Sequence, residues 1–169
     1  MRVFWLFCRA SCVLSLALWF SAVTARASDV LTLEFQGQSY RFLPEMEGAR
    51  TGFTRFAALD AVSMEGAPLE GAERLVLQFS LPPGAGISVA VLDARIMFRT
   101  DGWRDYWVSP LVFPADAIRF EELQLSGPTP RIAGRFDVEL CPVVSPLHLP
   151  DMAECSSARG SFRTELIRD

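Results

Sequence analysis

Gly134-Arg-Phe-Asp-Val-Glu-Leu-Cys141 and Gly160-Ser-Phe-Arg-Thr-Glu-Leu-Ile167 share one pattern: a Gly-x-Phe followed by alternating polar and apolar residues. That period of two belongs to a half-buried strand. Cys141 and Cys155 lie between the two phenylalanines, so the pair reads as a β-hairpin closed by a disulfide. If Cys141 faces Cys155, opposed residue numbers must keep the sum those two set. Phe136 then faces Gly160 and Phe162 faces Gly134, each ring covering a glycine of the neighbouring strand. Ile132, Phe136, Val138 and Leu140 fall on one face, with Ala158, Phe162 and Leu166 opposite them. On the other face Asp137 meets Arg159 and Arg131 meets Glu165. The intervening stretch, 142–154, carries Pro142, Pro146 and Pro150 and reads as an irregular exposed loop. Its length suits a structural staple rather than a redox Cys-x-x-Cys pair.

Upstream, residues 1–27 read as a cleaved signal peptide. Arg2 and Arg9 supply positive charge, and residues 13–23 form an apolar core shorter than the ~20 residues a membrane span needs. Ala25-Arg-Ala27 has the small-x-small form of a cleavage site, which starts the mature chain at Ser28. Cys8 and Cys12 lack the flanking residues of a lipidation site, so no stable membrane anchor is expected after cleavage. Residues 28–169 are long enough for a single β-domain with a full core.

All sixteen basic residues are arginine, and Arg2, Arg9 and Arg26 leave with the leader. Thirteen arginines against twenty acids leave the mature chain at roughly −7. An acidic chain without a basic run is poorly suited to nucleic acid, which rewards clustered Lys and Arg.

Nearly every remaining segment reads as strand. Residues 30–35 and 38–43 flank Gln36-Gly37, a two-residue turn that sets Leu33 against Tyr40 and Leu31 against Phe42. Residues 53–62 lean to strand, and 64–72, with Gly66, Pro68 and Gly71, reads as a connection. Residues 73–81 alternate, and 87–100 reads as a long strand bent near Asp93-Ala94. The next strand, 103–108, is expected to pair Arg99 with Asp105 and Phe98 with Tyr106. Residues 117–125 precede the stapled hairpin. About nine strands and no helix point to an all-β antiparallel fold, a β-sandwich first and a β-barrel as the alternative.

Chemistry-bearing residues are sparse. His148, the one histidine, lies in the proline-rich loop with Ser145, Ser156, Asp151 and Glu154, but no nucleophile elbow accompanies them. His148, Asp151 and Glu154 lack the convergence a zinc site needs, and Asp101 with Asp105 falls short of a calcium loop. No catalytic residues, metal ligands or cofactors are therefore assigned, and the expectation is a non-enzyme. Trp103, Tyr106 and Trp107 form the binding candidate, because exposed rings on a sheet can stack on sugars or proteins. The expected partner is an envelope protein or a glycan.

Overall fold

The computed structural model describes residues 29–47, 50–100, 106–112, 114, 116–144 and 148–168. The expected signal peptide, residues 101–105 with Trp103, and Ser145 lie outside the described residues. Eleven strands follow one another: β1 Val30–Phe35, β2 Gln38–Pro44, β3 Gly52–Arg55, β4 Asp60–Ala67, β5 Arg74–Leu81, β6 Asp93–Arg99, β7 Tyr106–Val108, β8 Ile118–Gln124, β9 Arg131–Val143, β10 Ser156–Glu165 and β11 Ile167–Arg168.

The stapled hairpin keeps the register that its cysteines dictate. Cys141 and Cys155 are disulfide-bonded. Gly134 opposes Phe162, Phe136 opposes Gly160, and Asp137 opposes Arg159. A Cβ at Gly134 would lie 2.6 Å from Cζ of Phe162, and one at Gly160 would meet both the Phe136 ring and the Thr32 carbonyl. The two glycines are therefore sockets for the rings, and the Thr32 carbonyl belongs to a paired strand that cannot withdraw. Gly160→Ala is expected to cost about 1–3 kcal/mol through overpacking, read as a lower urea midpoint. An unchanged midpoint would contradict the socket.

The first hairpin also forms as its sequence indicates, with Leu31 opposite Phe42 and Leu33 opposite Tyr40. Its turn carries positive φ at both Gln36 (50°) and Gly37 (76°). That geometry matches the twist of the flanking strands and favours glycine at its second position.

The strands close into a ring rather than stopping as the two free-edged layers of a sandwich. The hydrogen-bonded circuit runs β4-β2-β1-β10-β9-β7-β6-β5 and returns to β4, an eight-strand antiparallel barrel with extra strands. Two long strands make closure possible. One edge of β9 pairs with β10, while its other edge is shared between β8, over Arg131 to Phe136, and β7, over Cys141 to Val143. β4 divides its edge in the same way, pairing β3 along Asp60 to Ser63 and β2 at Gly66 and Ala67. β11 adds a short parallel pairing to β3. Closure removes the two end edges that the eight ring strands would have as an open sheet, while β8 lies off the ring and pairs with β9 alone.

Three other expectations are corrected by the ladder. Residues 64–67 belong to β4, because a Cβ at Gly66 would lie 2.7 Å from both Leu31 and Phe42, so the glycine lets β4 pack closely and is no turn. β6 starts only at Asp93, with 82–92 as a connection whose Ala85, Val89 and Val91 pack on the core. β9 continues through Pro142 to Val143. Asp137 turns its N–H toward β8, donating to the Ala117 carbonyl. Pro142, of opposite parity, turns its missing N–H toward β10, beyond the last pair Leu140–Ser156, where no donor is needed.

The register between β6 and β7 is also shifted, with Phe98 opposite Trp107 and Arg99 opposite Tyr106. A one-residue slip exchanges the faces of a strand, and this one turns Trp107 inward. This register covers both rings, Trp107 against Phe35 and Tyr106 in an outer cluster with Val108 and Val143, and gives up the expected Arg99–Asp105 pair, worth about 0.2–1 kcal/mol.

Inside the ring, buried side chains form one continuous core. Phe79, Phe120 and Phe162 make edge-to-face and tilted contacts at 5.7–6.1 Å, joining β5, β8 and β10. Toward the end that carries the β1–β2 turn, Phe35 contacts Phe98 and Trp107, and Tyr40 contacts Phe98.

Candidate functional site

The expected aromatic strip divides at β7. Trp107 faces the core, its ring 5.0 Å from Phe35 and only partly exposed. Tyr106 faces outward yet is only 4% exposed, in a small cluster with Val108, Val143 and Met97. Tyr106 and Trp107 thus stand on opposite faces and do not form a common planar surface. The stapled connection folds back beside this outer cluster. The Asp151 N–H donates to the Pro142 carbonyl, and the Met152 sulfur lies 3.9 Å from that of Cys141.

Asp151 accepts from the Ala153 N–H at 3.0 Å, a turn in which the side chain mimics backbone. His148 is exposed. Among the described residues, no group of three or more His, Cys, Asp or Glu is placed to hold a metal ion. Asp60, buried at the start of β4, receives two hydrogen bonds from Arg55 at 2.7 and 3.0 Å, so its burial is explained by pairing within the fold. Tyr40 donates its hydroxyl to Gln38 at 2.7 Å. Burial, with Glu73 nearby, raises its pKa above the ordinary phenol value.

A different surface gathers more chemistry: the outward face of β8, β9, β10, β1 and β2. Arg119 and Arg135 are directly opposed there, although like charges at such positions cost stability. Each is held by an acid. Arg119 donates to Asp116 at 2.7 Å, Arg135 contacts Glu121 at 2.7 Å, and Arg159 contacts Asp137 at 3.0 Å. The hydrogen bond from Arg119 is the main reason the Asp116 carboxyl lies below the usual carboxylate range. Glu121 is the extra residue of a β-bulge in β8 and also lies 3.7 Å from Arg163. The bulge breaks the regularity of a free-edged strand while aiming Glu121 at two guanidinium groups.

Arg119, Arg135 and Arg159 border a hollow of about 520 Å³, with Asp116 and Asp137 in its wall and Pro114 at its apolar side. A second hollow, about 530 Å³, begins at Arg159 and reaches the β1–β2 turn past Glu34, Gln38 and Ser157. Sequence reasoning paired Asp137 with Arg159 but missed the convergence. Arg119 arrives through the β8–β9 pairing, whose bulged register no charge or turn residue announces. Comparison with protein-family models, curated proteins and solved structures returns no match, and the candidate site stands on its geometry.

Proposed function

We propose that this chain is an exported, non-enzymatic β-barrel domain that binds or supports a component of the cell envelope, in the periplasm or outside the cell. The observation carrying this reading is the Cys141–Cys155 disulfide. Disulfides persist in oxidising compartments, and the apolar leader-like segment at 13–23 supplies a route to one. The barrel interior is filled by aromatic and aliphatic side chains, leaving recognition to the outer surface. A glycan partner is the second reading. It draws its support from the arginine-lined hollows rather than from Tyr106 and Trp107, whose faces diverge.

Intact-mass measurement of protein recovered from the periplasm or medium tests the export reading. The expected mass starts at Ser28 and is lower by two hydrogens than that of the reduced form. Retention of Met1, a diacylglycerol adduct, or two free thiols would overturn it.

A further inference from the structure

We infer that the end of the barrel opposite the β1–β2 turn docks reversibly on a membrane surface of neutral lipid, through apolar side chains on three neighbouring loops. This deepens the envelope-binding reading, and rests on it, by naming the component met and the face that meets it. The side chains are Phe56, Ile87, Leu92, Leu111 and Val112, which are 53–87% exposed. Strand pairing brings their loops to one end. Asp60 opposes Leu81 and Ser80 opposes Asp93, so the β3–β4 turn, 56–59, lies beside the 82–92 connection. Past β7 the Ser109 N–H donates to the Ile96 carbonyl at 2.8 Å. The chain leaves there antiparallel to β6, heading for the end where β6 starts.

Composition separates the two ends of the barrel. Residues 56–59, 81–92 and 106–115 contain no charged side chain, in a mature chain near −7. The opposite end also exposes Leu69, Val144 and Leu149, but Glu70, Glu73, Asp151 and Glu154 stand in the same loops. Moving an ionised carboxylate out of water costs more than burying a leucine returns. The uncharged end is therefore the one suited to lipid. Acidity elsewhere on the chain favours neutral over anionic headgroups.

Backbone geometry is the second support. Lipid offers no partner to a free N–H. In these loops Phe56 donates its N–H to the Leu59 carbonyl at 2.8 Å, Val89 to that of Gly86 at 3.0 Å, and Leu92 to that of Ser80 at 2.9 Å. Pro82, Pro83, Pro110 and Pro114 have no N–H to satisfy. A sugar chain would seek free donors and acceptors, which these loops withhold. A protein partner requires a closely complementary face, whereas these side chains stand on separate loops at strand ends. A bilayer accepts them without shape matching.

Cosedimentation of the oxidised mature protein with phosphatidylcholine vesicles tests the inference. Partition into the vesicles is expected, little changed between about 0.05 and 0.5 M salt and weaker when phosphatidylglycerol is added. Leu111→Asp and Ile87→Asp should each weaken it by about tenfold or more. Leu149→Asp, at the other end, should change it less than about twofold. All three positions are exposed, so folding is expected to survive each change. Relative to the unmodified protein, the tryptophan added in Leu111→Trp should be quenched by brominated phosphatidylcholine, and that in Leu149→Trp should not. No partition at about 10 mM lipid, equal weakening by Leu149→Asp, or quenching confined to Leu149→Trp would each overturn the inference. Dimerisation in lipid-free solution that Leu111→Asp abolishes would assign these loops to a second copy and overturn it too. Every arm uses folded, oxidised protein, so failure here leaves the mass test of export separate.

Discussion

Phe162→Ala is expected to cost about 3–5 kcal/mol of folding stability, the range for large-to-small aromatic changes in a core. Phe162 is 1% exposed and lies within 5.7 Å of Phe79 and 6.1 Å of Phe120. Its ring occupies the space above Gly134, which has no side chain with which to refill it. The surrounding strands are pinned on both sides, since β10 pairs with β1 and with β9. Little collapse into the cavity is possible, which places the loss toward the upper part of the range. Denaturant unfolding of the variant checks this, and a loss below about 1 kcal/mol would show that the ring is not a core element. A double-mutant cycle with Phe79 should reveal coupling of about 0.5–1.5 kcal/mol, because the two rings touch across the barrel. Phe136 makes none of the ring-to-ring contacts seen among the described residues, so coupling belongs to Phe79 and Phe120 rather than to its diagonal neighbour.

Changing both Cys141 and Cys155 to serine is expected to cost about 2–4 kcal/mol while preserving the fold. The residues are separated by 14 positions, and chain entropy assigns closure of a loop of that size about 3 kcal/mol. The fold should survive because β9 and β10 remain zipped from Leu140–Ser156 to Arg131–Glu165, independently of the staple. Local loosening should appear first at the outer cluster of Tyr106, Val108 and Val143, beside the returning connection. Hydrogen exchange should therefore accelerate at β7 before it does at β1. The wild-type protein treated with dithiothreitol should show the same loss, and an unchanged melting temperature in both cases would make the staple energetically idle.

The two hairpins were legible because each contains a local constraint. Gln36-Gly37 determines one register through turn geometry, and Cys141 with Cys155 determines the other through a covalent bond. Ring closure was not legible, because it depends on β4 and β9 each dividing one edge between two partners. No local pattern in Asp60–Ala67 or Arg131–Val143 distinguishes a shared edge from a continuous one. Gly66 misled for a related reason: a glycine between apolar stretches resembles a turn, although here it admits Leu31 and Phe42. At the site, alternation placed Arg135 and Arg159 on an outward face. Their meeting with Arg119 depends on the bulge at Glu121 and on a pairing between strands joined by no tight turn. Tyr106 and Trp107 share no surface because β7 is an alternating strand, in which adjacent side chains point to opposite sides.

Closure of the ring positions both the filled interior and the outward hollows that meet at Arg159, and cross-strand proton contacts test it most directly. A nuclear Overhauser spectrum of the oxidised protein should connect β7 to both of its neighbours, with contacts pairing Phe98 with Trp107 and Val108 with Cys141. It should also connect Leu43 with Ala67 and Gly66 with Leu75, joining β4 to both β2 and β5. Contacts within the two halves but none between β7 and β9, or none between β2 and β4, would leave the ring open and contradict the barrel.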